Sequence, residues 1–295
     1  DGQYAAIAIE NERDENAGDG RPPQSPPGFL VIVDLVGRPA TWVTRTVPLV
    51  GLADKFPGDP EPEFVSINGD TVAVVTLQEN NHLVLVRLST GEVIRDFPAG
   101  TVDLQRIDVL ENELIEQVGS LAGVPREPDG VVWLSNRRFA TADEGDLDGG
   151  SRGFTIFDAS GAVVARAGST VEHLAARLGH YPEERSENEG NEPEGVAFGR
   201  YGRDDLLFVG SERSSVVAVY RLSGHRARPR LLQVLPTGVG PEGLLTIPQR
   251  GLFVVAAEVD DRGDKIRSGI SIYQRTSRRP EYPTVRTTER PGRRL

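Results

Sequence analysis

Glu192-Pro193-Glu194-Gly195-Val196 opens a segment that runs through the apolar residues 206–211 and stops on Glu212, and the same grammar recurs along the chain. The other openings are Glu61-Pro62-Glu63-Phe64-Val65, Glu127-Pro128-Asp129-Gly130-Val131 and Gly240-Pro241-Glu242-Gly243-Leu244. Each leads into a β-rich stretch closed by an acid, at Glu79, Glu144 and Glu258, so the four proline-to-acid separations in chain order are 17, 16, 19 and 17 residues. A mark that returns at near-constant distance is the signature of a repeat architecture.

Two short apolar runs fall between the marks of each copy, and two more follow the second mark. In the copy that starts at Glu127 they are residues 130–134, 139–144, 153–158 and 162–167. In the next copy they are residues 195–198, 206–212, 216–222 and 231–236. Their density of Val, Ile, Leu and Phe, with turns such as Ser160-Gly161, argues short antiparallel strands. Four-stranded units arranged around an axis make a β-propeller, whereas a β-sandwich leaves the recurrent mark unexplained. The expected fold is therefore all-β, a β-propeller of four-stranded antiparallel blades with about five repeats visible.

Successive copies begin 66, 65 and 48 residues apart, more than the roughly 40–50 residues of a compact blade, so the early units carry insertions. One is the polar, mixed stretch 104–123. Another is 170–178, where Val171, Leu174, Ala175 and Leu178 fall at helical spacing and predict a short helix. A third, residues 11–27, is crowded with Asp, Glu, Asn, Gly and Pro and predicts an irregular loop. The N-terminal residues 4–10, 29–35 and 41–47 read as the second to fourth strands of a further copy, closed at Glu10 and lacking its first strand. Either the segment Pro280-Glu281-Tyr282-Pro283-Thr284-Val285 supplies that strand or the chain is cut from a longer protein. Residues 1–275 are expected to form the propeller and 276–295 a basic flexible tail.

At 295 residues, 38% hydrophobic and 26% charged, the chain can bury a full core. No run approaches 18 apolar residues, so no membrane span is expected. There is no Met, even at position 1, which reads as a processed form or an excised fragment. The absence of Cys excludes disulfides, thiolate metal sites and cysteine nucleophiles. Residues 275–295 carry seven Arg against two Glu, so the net charge of -11 conceals a more acidic body. Such a body argues against nucleic acid as a partner and towards cations or basic ligands.

Strand order converts the repeat into geometry. If the Pro-acid mark enters the innermost strand and the closing acid leaves the second, both lie on one face of the propeller. That face should gather Glu63, Asp129, Glu194 and Glu242 near the axis, with Glu10, Glu79, Glu144, Glu212 and Glu258 around them. Carboxylates so close resist joint ionisation unless cations, Arg partners or backbone N–H groups compensate, and Arg13, Arg152 and Arg213 fall near the same loop ends. A residue type present in every copy also fits a purely structural job, with the proline fixing a turn and the carboxylate accepting backbone N–H bonds.

Calcium is the metal these residues suit, because hard oxygen ligands abound and thiolates are absent. Residues 143–150 space acids at alternate positions before Gly like the opening of a calcium loop, which singles out Glu144, Asp146 and Asp148 as metal ligands. Thr155 stands where an EF-hand carries its closing Glu, and a solvated acidic turn explains the same spacing. No Gly-x-Ser-x-Gly elbow, His-Glu-x-x-His or phosphate loop is present. His173 and His180 flank the expected helix and suit packing or surface roles, while His82 lies nearer the acidic face.

Together, the stretches 61–65, 74–81, 140–146 and 192–196 resemble the bacterial choice-of-anchor I β-propeller domain, over about residues 4–273. Proteins of this kind are also named after a mesenchyme-specific cell-surface glycoprotein, and some relatives join an esterase-like domain of the phytase type. The resemblance implies an extracytoplasmic protein, whether periplasmic, secreted or at the cell surface. It also implies a truncated array, of up to seven blades, over a closed five-bladed ring. Two functions follow: a non-catalytic module that binds a protein or small-molecule ligand at its acidic face, with calcium, or a calcium-dependent phosphoester hydrolase resembling β-propeller phytase or alkaline phosphatase. Lys, useful for clamping phosphate, occurs only at Lys55 and Lys265.

Overall fold

Val, Ile, Leu and Phe in 4–9-residue runs, punctuated by Gly-containing turns, fold as five consecutive antiparallel sheets. The structure, a computed structural model, describes residues 2–223 and 228–276; the expected closing segment and nearly all of the basic tail lie outside them. The first sheet joins β1 (Tyr4–Ile9), β2 (Phe29–Asp34) and β3 (Val43–Pro48). The second joins β4 (Pro62–Ile67), β5 (Val72–Leu77), β6 (His82–Arg87) and β7 (Glu92–Pro98) in chain order. A hairpin, β8 (Thr101–Ile107) and β9 (Gly119–Pro125), precedes the third sheet of β10 (Val131–Ser135), β11 (Arg138–Asp143), β12 (Gly153–Asp158) and β13 (Val163–Arg166). Helix α1 (Thr170–Leu178) leads to the fourth sheet, β14 (Val196–Tyr201), β15 (Asp204–Ser211), β16 (Val216–Ser223) and β17 (Arg228–Pro236). The fifth sheet is β18 (Pro241–Ile247), β19 (Leu252–Ala257) and β20 (Gly269–Gln274).

This is a β-propeller arrangement: every sheet is a meander, and the first strands pack side by side, β4 against β10, β10 against β14 and β14 against β18, with β1 against β4. Each pair of neighbouring blades encloses its own apolar layer. Leu30, Ile32 and Val47 meet Ala73, Val75, Val84 and Val86 between the first two blades. Trp133, Phe139 and Phe157 meet Val74 and Leu85 between the second and third, where Trp133 also donates Nε1–H to the Ser66 carbonyl (3.0 Å). Similar layers join the third to the fourth and the fourth to the fifth. Core burial is thus divided among blade interfaces, as expected when each repeat is stabilised by its neighbour.

The helix occupies the predicted residues, ended by Gly179 in the left-handed region (φ 74°). Its inner side is fixed by Arg152, which is 1% exposed and donates to the carbonyls of Asp108, Ser186 and Asn188 while pairing with Glu172 at 3.4 Å. The stretch 104–123, read as polar and mixed, instead contributes to the β8–β9 hairpin, with Val102, Leu104 and Ile107 as a small core. Residues 11–27 form turns and bends, as their composition predicts. Among the described residues no helix is long and apolar enough to cross a membrane.

Candidate functional site

The proline of each cassette sets where an innermost strand begins. Glu63 and Glu242 are the second residues of β4 and β18, while Asp129 and Glu194 lie two residues before β10 and β14. Glu144 and Glu212 follow β11 and β15 directly, as Glu10 and Glu258 follow β1 and β19, and Glu79 comes two residues after β5. First strands start, and second strands finish, at the same end of the propeller. Six of these nine acids, Glu10, Glu63, Glu79, Asp129, Glu144 and Glu194, line a cavity of about 310 Å³ together with Asp146 and with Arg13 as its cation, whereas Glu212, Glu242 and Glu258 are not among its lining residues.

Gly130 and Gly195 explain the third position of the cassette. The Gly130 N–H donates to the Glu194 carbonyl at 3.1 Å, and a Cβ at Gly130 would stand 2.4 Å from that oxygen. A Cβ at Gly195 would stand 2.6 Å from the Glu242 carbonyl. The second cassette therefore touches the third and the third touches the fourth, and only glycine permits the approach.

Burial raises several of these acids above the ordinary carboxylate range. Burial, and then the hydrogen bond with Glu10, pushes Glu63 up to about 10. Burial pushes Glu194 up to about 9, helped by Asp129 and Glu242. Asp129 rises to about 8, mainly through burial, with Glu10, Glu242 and Glu212 adding repulsion. Burial moves Glu144 well above the carboxylate range, with Asp129 and Glu194 adding to it. Glu212 reaches only about 7, because Arg213 opposes the effect of burial. Desolvation and like charge act in the same direction here, so a bound cation would displace protons.

Two observations locate unsatisfied capacity. One carboxylate oxygen from each of Glu144, Glu194 and Glu212 lies within 4.8 Å of the other two. Asp129 is 4% exposed, yet its Oδ1 has no hydrogen-bond partner. Glu79, equally buried, leaves Oε2 without one. Glu144 is steadied by the Gln78 amide, which donates to Oε2 at 3.0 Å.

The loop 143–150 has a different architecture from the one its spacing suggests. Asp146 pairs with Arg13 at 2.7 Å, and Asp148 pairs with Arg21 at 2.8 Å and Lys55 at 2.9 Å. The structure therefore brings Glu144 together with Glu194 and Glu212, and commits Asp148 to two cations. The loop wraps Glu127, whose fully buried carboxylate accepts the backbone N–H groups of Asp146, Leu147 and Asp148 at 2.9–3.2 Å and the Lys55 ammonium at 2.9 Å.

Glu127 belongs to a set that reading the Pro-acid mark alone does not find: the acid just before the proline. Glu192 receives Arg185 at 2.6 Å and Arg213 at 2.7 Å. Both Glu127 and Glu192 hold φ at 42°, and the equivalent Gly240 holds 69°. A left-handed residue ahead of proline is unfavourable for anything but glycine, and in these two copies anchored carboxylates secure it. Glu61 is fully buried with neither oxygen hydrogen-bonded, and burial, followed by repulsion from Glu79 and Asp59, pushes it up to about 9. The signal was in the sequence as Glu, Glu, Glu, Gly at one repeat position.

Among the described residues, His82, His173 and His180 serve the scaffold. His82 is buried and bonds Asp96 at 3.0 Å within the second blade, His173 contacts the Arg106 carbonyl, and His180 contacts the Ser214 carbonyl. Of the three arginines near the loop ends, Arg13 and Arg213 reach the acidic face, whereas Arg152 is spent under α1.

A comparison with curated proteins gave no match. Among solved structures, a candidate 6-phosphogluconolactonase from Bacteroides uniformis aligns with a TM-score of 0.56 at 11% identity, over 94% of this chain and 65% of that one. Virginiamycin B lyase from Staphylococcus aureus aligns with a TM-score of 0.45 at 12% identity, over 78% of this chain and 56% of the lyase. A β-propeller domain from Myceliophteria thermophila gives 0.43 at 10% identity, over 78% of this chain and 61% of that one. At such identities the likeness is of fold alone, and this chain spans well under two thirds of the lyase's length. The family match is of another kind: the Choice-of-anchor I domain covers residues 32–149 and 147–225, which include three of the four cassettes and most of the acids of the cavity. The chain belongs to the Choice-of-anchor I domain family.

Proposed function

We propose that this protein is an extracytoplasmic, cell-surface propeller whose acidic end binds a ligand through calcium. The observation that carries the reading is the convergence of carboxylates from successive blades on one 310 Å³ cavity, where burial and mutual repulsion favour a cation over several shared protons. Calcium suits an all-oxygen site of flexible geometry. Ligand binding is favoured over phosphoester hydrolysis because the cation lining the cavity, Arg13, is already engaged by Asp146 at 2.7 Å and Glu15 at 3.1 Å, which leaves it poorly placed to clamp phosphate.

Metal analysis of the purified chain and thermal unfolding with millimolar calcium or with chelator test this. Calcium at 100 times its dissociation constant should stabilise the fold by about 2.7 kcal/mol, roughly 4 °C in a protein of this size. No bound calcium and superimposed melting curves would refute the calcium reading. Turnover of phytate or a phosphomonoester under saturating calcium would favour the hydrolase instead.

A further inference from the structure

We propose that the cation sits at the junction of the third and fourth blades, held by Glu144, Glu194 and Glu212 with Asp129 as the fourth carboxylate, rather than by Glu144 with Asp146 and Asp148 of its own loop. The inference rests on the calcium-binding reading and assigns its ligands. Calcium binds oxygens at about 2.3–2.6 Å, so ligands on opposite sides of it lie up to about 5 Å apart. The oxygens of Glu144, Glu194 and Glu212, all within 4.8 Å of one another, fit inside that shell. Magnesium demands a near-ideal octahedron at about 2.0–2.1 Å and gives up its water reluctantly, so a site built mainly of carboxylates suits it less well.

The independent observation is Asp129, 4% exposed with Oδ1 unpartnered and lining the same cavity as Glu144 and Glu194. A buried carboxylate oxygen without a donor is costly unless something absent from the protein alone completes it. Asp129 and Glu144 flank the β10–β11 pair, and Glu194 and Glu212 flank the β14–β15 pair. A cation held by both pairs therefore pins one blade to the next. Four carboxylates exceed the charge of a divalent ion, and Arg213, 2.8 Å from Glu212, offsets part of the excess. The rival trio is disfavoured because both of its other members are engaged, Asp146 by Arg13 and Asp148 by Arg21 and Lys55, whereas among the described residues only Glu212 of the proposed ligands is ion-paired.

Calorimetric titration of the full chain with calcium, and separately with magnesium, decides the matter through the variants Glu194→Gln, Glu212→Gln and Asp148→Asn. The expected result is one calcium per chain, affinity reduced about 10- to 100-fold by either glutamine variant, little change in Asp148→Asn, and weaker magnesium binding. The glutamine variants should also melt higher than the wild type in chelator, since each relieves repulsion, and gain less from calcium. Far-UV circular dichroism confirms folding, with Asp129→Asn as replacement should either variant not fold. Wild-type affinity retained in both glutamine variants would overturn the assignment while leaving calcium binding intact. Affinity lost only in Asp148→Asn would move the ion to the loop. No heat from the wild type would remove both readings.

Discussion

Replacing Glu127 with alanine should unfasten the loop 143–150 and lower stability by about 3–5 kcal/mol. The carboxylate is fully buried and accepts three consecutive backbone N–H groups as well as the Lys55 ammonium. A donor left without its charged acceptor costs roughly 1 kcal/mol where water can partly reach it, and somewhat more where it cannot. Three such donors, and a Lys55 ammonium left with Asp148 alone at 2.9 Å, give the stated range. Urea unfolding should show it as a lower midpoint with the same slope, and thermal unfolding as a loss of roughly 5–8 °C. Hydrogen exchange locates the effect: the amides of Asp146, Leu147 and Asp148 should lose protection before the strands do. Glu127→Gly separates carboxylate from backbone, because it also deletes the acceptor yet relieves the left-handed strain at φ 42°, so it should be about 1 kcal/mol more stable than the alanine variant. A loss below about 1 kcal/mol with unchanged exchange at the three amides would refute the reasoning.

Gly195→Ala should cost about 1–3 kcal/mol through overpacking, since the new methyl would stand 2.6 Å from the Glu242 carbonyl; urea unfolding equal to wild type would show that the contact gives way freely. Burial pushes Glu172 up to about 7 from an ordinary 4.5, against the pull of Arg152. A raised folded value means that this group's stabilisation is complete below about pH 4.5 and is lost as pH rises through about 7, with a slope of at most about 1.4 kcal/mol per pH unit. Stability measured at pH 5, 6 and 7 should therefore fall less steeply in Glu172→Gln than in wild type, and parallel curves would contradict the shift.

The strands were legible because their chemistry is local. Val216 to Leu222 can hardly be anything else, and β16 spans Val216–Ser223. The spacing of Val171, Leu174, Ala175 and Leu178 likewise marked out α1. The common face of the acids followed from strand order alone, which is why Glu144 and Glu194, 50 residues apart, could be placed together in advance. The partners of those acids were not legible. Asp146 and Asp148 alternate like calcium ligands, but whether such acids face inward or bind Arg13, Arg21 and Lys55 is set by segments more than 90 residues upstream. The β8–β9 hairpin escaped notice because its outer residues are exposed and polar, so only Val102, Leu104 and Ile107 announce an inside.

The glycine contacts between cassettes give the hub the character of a relay. Because Gly130 touches Glu194 and Gly195 touches Glu242, the angular position of the third blade is handed to the fourth, and that of the fourth to the fifth, through close main-chain contact. Material at the rim takes no part in that hand-over. The hairpin and helix can be spliced into the circumference without detuning the axis, and copy spacings of 66, 65 and 48 residues can vary while the acids keep their places. Variation in such a molecule should be sought in its outer loops, and constancy within three residues of each cassette proline.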